Sequence, residues 1–217
     1  MASLTIENYV KTIYMECNRH ECDRASTGRL ADLLEVSPGT VTSMLKTLSE
    51  SGLAEYTPYE GVRLTEAGQV LALRVIRRHR LIELFLVRTL DLSWDEVHHE
   101  AENMEHAVSD RLVDRIDQFL EFPDADPHGD PIPRADGTIA AADSRKLTDW
   151  AVGEQFRLVR VLDQSSDFLR YLSEQGLPLG AEGVLATRQP HAGILTVKIG
   201  DQTTTLAREA AEKLMVE

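Results

Sequence analysis

The apolar positions of this chain fall into helical rows through its first half and into short alternating runs towards its end. Over residues 5–17, Ile6, Tyr9, Val10, Ile13 and Tyr14 recur at helical spacing behind a Thr5 cap, which predicts an amphipathic first helix. A second row begins at Thr27 with Leu30, Ala31, Leu33 and Leu34 and breaks at Glu35-Val36-Ser37. It resumes after Pro38 with Val41, Met44, Leu45 and Leu48 and stops at Gly52. Ser37 is a good cap with Pro38 at the first helical position, so the pattern reads as helix, short turn, helix. Residues 53–65 then give two short strands around a Pro- and Gly-containing turn, a hairpin that serves as a wing.

The helix after the turn leaves Ser37, Pro38, Gly39, Thr40, Thr42, Ser43 and Lys46 on its outer side, with Arg29 on the preceding helix and Arg63 on the wing. Short hydroxyl side chains near a helix N-terminus suit close approach to phosphates and to base edges in a major groove. A plain helical hairpin is the bland alternative; the appended wing and the polar outer face favour DNA.

A long helix is predicted from Thr65 to Arg88, carrying Arg74, Arg77, Arg78, His79 and Arg80 and then Glu83. Residues 109–122 hold a stripe of Leu112, Val113, Ile116, Phe119 and Leu120 that is wider than a small domain needs; burial within one chain would account for it equally, but a subunit interface and a homodimer are the favoured reading. From Pro123 to about Asp143 no period survives, and Asp, Pro, Gly and Ala dominate, so an ordered turn followed by a linker is expected. Beyond Asp149 the period changes to two. Residues 156–162, 183–186, 194–197 and 203–206 read as strands around Gly turns, with a helix over 166–175, and together predict a small β-barrel.

Composition bounds the class. The chain has 217 residues, 42% of them hydrophobic, enough for two or three modules with their own cores. No apolar run is long enough to cross a membrane, and the start has neither a basic n-region nor an apolar h-region, so a cytoplasmic protein with no membrane partner is expected. Cys17 and Cys22, spaced C-x4-C, fit neither a zinc knuckle nor a disulfide framework. The net charge of −13 is hostile to nucleic acid only on average. Residues 1–80 hold 10 basic and 10 acidic residues, whereas residues 81–130 hold 3 and 14, so the acidity is concentrated away from the helix-turn-helix.

The densest chemistry lies in that acidic segment. His98, His99, Glu100, Glu102, Glu105 and His106 crowd into nine residues. In a helix Glu102, Glu105 and His106 share a face, with His98 one turn before Glu102. Carboxylates three residues apart repel when empty and are stabilised by a divalent cation. His79 and Glu83 stand at i and i+4, a second ligand spacing. A solvated acidic helix is the bland reading. A metalloenzyme is the rival of another class, but His99-Glu100 is followed by Asn103 where H-e-x-x-h needs its second histidine. A di-metal carboxylate bundle needs a second Glu-x-x-His, which the chain lacks.

These features together resemble the DtxR/MntR family of metal-dependent transcriptional repressors. Tyr9-x4-Tyr14, Arg78-His79-Arg80-Leu81, Glu105-His106-x-x-Ser109-Asp110 and Gly129-Asp130-Pro131-Ile132-Pro133 read like that family's signature stretches. The resemblance implies a mainly α protein with small β: a winged helix-turn-helix DNA-binding domain over residues 1–73, a helical dimerisation and metal-binding domain over 74–140, a linker over 141–148 and an SH3-like, FeoA-type domain over 149–217. It implies no enzyme and no small-molecule substrate besides the metal ion, but a repressor that binds a palindromic operator in double-stranded DNA as a homodimer. It also implies two metal sites, one of Asn8, Glu102, Glu105 and His106, the other of His79, Glu83 and His98, with Gln164 and Asp167 as loosely aligned contributors. Asn8 stands where iron-sensing members have Met, and Glu102 where they often have Cys. Lys11 replaces a carboxylate of the short manganese regulators. The oxygen-rich set favours Mn2+, with Fe2+ second.

Overall fold

The computed structural model describes residues 3–20, 22–140 and 143–217; of the expected linker, residues 141 and 142 lie outside the described residues. The chain divides into two compact units, one of residues up to 79 with 105–108 and 133–138, the other of residues 80–104, 109–132 and 139–217. No helix among the described residues is long and apolar enough to cross a membrane.

In the first unit, helix α1 (Leu4–His20) buries Tyr9, Val10 and Ile13 against α2 (Thr27–Leu33) and α3 (Pro38–Glu50). The predicted start of α3 is made as the sequence indicates: the Ser37 hydroxyl accepts from the Thr40 amide at 3.1 Å, and Pro38 follows it. Strands β1 (Ala54–Thr57) and β2 (Gly61–Leu64) form the antiparallel wing, in register Ala54↔Leu64 to Thr57↔Gly61. The wing is strapped to the helices by a bridge in which Ala25 and Val62 exchange backbone hydrogen bonds of 2.8 and 3.0 Å. Gly61 permits that strap, since a Cβ there would lie 2.5 Å from the Ala25 carbonyl oxygen. Cys17 and Cys22 are free thiols. Burial first, then the neighbouring Cys22, push the Cys17 thiol up to about 12.

Helix α4 (Glu66–Leu90) begins after Thr65, whose hydroxyl accepts from the Gly68 amide at 3.2 Å, and runs from the first unit into the second. Helices α5 (Val97–Glu105) and α6 (Asp110–Phe119) follow, the latter capped by Ser109. Of the expected stripe on α6, Val113, Ile116 and Leu120 are buried, while Leu112 and Phe119 face outward.

The second unit ends in a six-stranded antiparallel sheet of order β3-β8-β4-β5-β6-β7, the SH3-like module. Its strands are β3 (Arg145–Lys146), β4 (Gln155–Val161), β5 (Glu182–Gln189), β6 (Ile194–Ile199), β7 (Gln202–Ala207) and β8 (Leu214–Val216), with α7 (Ser166–Glu174) and the short α8 (Arg208–Ala211) between them. Register shifts at Leu158/Arg160 and Leu185/Thr187 bend the strands around a core that includes Phe156, Leu158, Leu185, Val197 and Leu206. The sequence reading omits β3 and β8, which are too short to show a period, so the sheet begins four residues before the expected boundary at 149.

Residues 123–132, where an ordered turn is expected, form a tightly bonded loop. Asp126, His128, Asp130 and Ile132 are buried in it. Backbone bonds from Asp126 to Asp130 and from Ile132 to Asp124 close it, and the Val161 amide donates to the His128 carbonyl at 2.9 Å, joining it to β4.

Candidate metal centres and DNA-reading surface

The first unit gathers charged side chains that the sequence sets far apart. On α1, Glu7 and Lys11 lie one turn apart and are both buried, with Asn8 half-buried beside them. Glu105, at the end of α5, is 1% exposed. The Lys11 ammonium donates to both of its oxygens, at 3.0 and 2.9 Å. The His79 Nδ1 lies 2.6 Å from Oε2, and the His106 Nε2 lies 3.2 Å from Oε1. His106 uses its other nitrogen on Glu7, at 2.7 Å, and Glu7 also faces Arg78 at 3.6 Å. Burial raises the Glu105 carboxyl, but His79 and Lys11 outweigh it and hold the group below its ordinary value, so it is an anion. Of the first expected ligand set, Glu105 and His106 thus share one polar cluster. Glu102 has a half-exposed side chain that faces His98 at 3.5 Å.

The second unit holds another cluster around Glu83, which is 1% exposed. His98 Nδ1 lies 3.1 Å from one Glu83 oxygen. Glu102 first, then Glu83, push the His98 imidazole up to about 9. The other Glu83 oxygen faces the Nδ1 of the fully buried His128 at 3.7 Å, with an Asp126 oxygen 3.9 Å from the same nitrogen. The His128 Nε2 is 2.7 Å from the Trp94 carbonyl and donates to it. That bond fixes the ring and turns Nδ1 towards the two carboxylates, where it makes no hydrogen bond. Burial lowers the His128 pKa, and Glu83 and Asp126 overcome it, so the net direction is upward. Burial, then the charges of Asp130 and Glu83, push Asp126 up to about 7. Glu83, Asp126 and His128 each offer one ligand atom, all within 4.8 Å of one another. A buried imidazole nitrogen without a hydrogen bond, aimed at two repelling carboxylates, fits a divalent transition metal.

Asp126 and His128 are absent from the sequence-derived ligands, because they lie on an aperiodic loop that only tertiary folding brings to Glu83. The signal was the Asp and His content of Asp124-Ala125-Asp126-Pro127-His128, high for a linker. The loosely aligned pair is placed elsewhere. Gln164 donates to Asp130 at 3.0 Å, and Asp130 also binds Arg80 and Arg160. Asp167, at the start of α7, has a 99% exposed side chain that faces Arg170.

On the reading surface, Ser37, Pro38, Gly39, Thr40, Ser43 and Lys46 are exposed and Thr42 is half-buried. The Thr42 hydroxyl donates to the Pro38 carbonyl, so it rigidifies the first turn of α3. Arg29 and Arg63 are exposed but already engaged: Arg29 binds Glu16 at 3.2 Å, and Arg63 binds Glu55 at 2.7 Å with Asp23 nearby.

Three family models match the chain: the iron dependent repressor N-terminal DNA binding domain over residues 1–62, the iron dependent repressor metal binding and dimerisation domain over 65–134, and the FeoA domain over 145–217. The iron-dependent repressor IdeR of Mycobacterium tuberculosis H37Rv is 32% identical over 98% of this chain and 96% of its own length. The diphtheria toxin repressor of Corynebacterium diphtheriae is 27% identical over 98% and 96%. Among solved structures, a manganese-dependent transcriptional repressor in complex with manganese has a TM-score of 0.86 at 39% identity, covering 97% of this chain and 98% of that one. The manganese regulator SloR has a TM-score of 0.77 at 32% identity, over 98% and 97%. These relatives are repressors rather than enzymes, and the models span nearly every residue: the chain belongs to the iron-dependent repressor family of metal-dependent, DNA-binding transcriptional repressors.

Proposed function

We propose that this protein is a Mn(II)-activated repressor that binds a palindromic operator as a homodimer and controls metal-ion uptake genes. The donor set carries the choice of metal. Asn8, Glu102, Glu105 and His106 at the regulatory centre, and Glu83, Asp126 and His128 at the second, offer oxygen and imidazole nitrogen with no sulfur. His79 and His98 are the second centre's remaining partners by resemblance, and the close pairing of His98 with Glu83 supports the latter. Bound there, a divalent cation supplies the positive charge that offsets the repulsion of these carboxylates. The residues do the rest: Asn8 on α1 and Glu102, Glu105 and His106 around α5 tie the DNA-binding domain to the helical domain, favouring the DNA-competent arrangement. Two α3 helices of a dimer then enter successive major grooves, with half-sites about 34–36 Å apart or a multiple of that. Fe(II) activation is the second reading, favoured by relatives named iron-dependent repressors.

A gel shift on the gene's own upstream region tests both. The chelated protein is expected to leave the DNA free, and Mn(II) to shift it at lower concentration than Fe(II) under anaerobic conditions, with Co(II) and Zn(II) as further comparisons. Binding that ignores chelation sinks the metal switch; activation by Fe(II) below the Mn(II) range replaces manganese with iron.

A further inference from the structure

Glu105 is the most buried of the expected ligands in its cluster, and its carboxylate is already saturated. A carboxylate offers about four lone-pair directions. The Lys11 ammonium takes two of them, at 3.0 and 2.9 Å, and His79 and His106 approach the other two at 2.6 and 3.2 Å. Lys11 is itself only 9% exposed, and its Nζ lies 3.2 Å from His79 Nδ1, so the ammonium is packed into the same desolvated cluster, beside the carboxylate where a metal cation would lie. A second cation on the same oxygens would meet a full positive charge at contact range in a partly desolvated site.

We propose that Lys11 is a tethered cation that holds Glu105 in the metal-free protein and so sets the metal concentration at which the repressor responds; the proposal rests on the metal-activated reading above. The ammonium must withdraw before Glu105 serves a metal ion fully. Because Lys11 is carried by α1, whose Tyr9, Val10 and Ile13 belong to the core under α3, its release acts on the helix that supports the reading head. Lys11 therefore opposes the metal and couples its arrival to the DNA-binding domain.

Calorimetric titration with Mn(II) of the full chain and of Lys11→Met, Lys11→Gln, Lys11→Arg and Glu105→Ala tests this, together with thermal melts with and without Mn(II). Both neutral variants are expected to bind Mn(II) on the order of tenfold more tightly, within the usual range of coupling between sites. Lys11→Arg, which keeps the charge, stays within a few-fold of the wild type. Metal-free Lys11→Met melts lower than the wild type, because Glu105 loses its counter-charge, yet gains more from Mn(II); a merely structural lysine would weaken both readings together. Lys11→Gln retains donors for Glu105 and keeps the test open if Lys11→Met fails to fold. Wild-type binding that depends on Glu105, with neither neutral variant binding more tightly, overturns the proposal. Mn(II) binding unchanged in Glu105→Ala removes Glu105 from the metal site and takes this proposal with it.

Discussion

At the scale of single residues, Glu105 and His106 are legible in the sequence as candidate ligands, because they stand in a stretch dense in His and Glu, although α5 ends at Glu105 and the polar cluster they share comes from the fold. The loop residues of the Glu83 cluster are not legible. Asp126 and His128 reach Glu83 only through a loop whose shape depends on Gly129. That glycine has a φ of +84°, and a Cβ on it would lie 2.0 Å from the Val159 carbonyl oxygen. No side chain fits there without moving β4. Gly129→Ala is therefore expected to destabilise the metal-free protein by about 2 kcal/mol or more, through left-handed strain and overpacking together. Urea denaturation followed by circular dichroism reads the loss; a midpoint equal to the wild type's would show that the loop carries no such constraint. Lys11 illustrates the other limit of sequence reading. Its identity stands out only against the carboxylate that the resemblance to the short manganese regulators implies, and the proposed role depends on burial beside Glu105, which no spacing reveals.

Among elements, those with a sustained 3.6-residue period, α1, α3 and α4, match expectation closely, since amphipathic rows and caps act locally. Strands β3 and β8 are defined by pairing alone: Arg145↔Val216 and Lys146↔Met215 join residues about 70 apart in the chain, beyond the reach of any local pattern. The start of α3 is the most informative local element, because one hydroxyl both ends the turn and begins the reading helix. Ser37 accepts from the Thr40 amide and also lies 2.9 Å from the Thr40 hydroxyl. Ser37→Ala removes the cap and is expected to cost about 1 kcal/mol of stability. It should also weaken operator binding, because the exposed first turn of α3 faces the DNA in this reading. Melting and a DNA titration in saturating Mn(II) check the two effects; a loss of stability with unchanged affinity would place Ser37 away from the DNA.

For the whole molecule, the overall charge of −13 conceals a balanced stretch over residues 1–80 and an acidic one over residues 81–130, so the distribution of charge matters more than its sum. A palindromic operator, as proposed above, requires a second copy, since one recognition helix reads only one half-site. Leu90 at the end of α4, Leu112 and Phe119 on α6, and Phe122 beyond it are large apolar side chains that remain 48–63% exposed. They lie within the matched dimerisation model. Leu112 is the cleanest probe, because it is exposed while its neighbours Val113 and Ile116 hold the core. Leu112→Glu is expected to leave the melting of the protomer nearly unchanged but to place like charges across a two-fold interface, shifting the protein towards monomer. Sedimentation at micromolar concentration should show the shift, and operator affinity in Mn(II) should fall steeply, since the two half-sites are then no longer held by one particle. A Leu112→Glu protein that sediments as the wild type does, with full operator affinity, would move the dimer contact to another face.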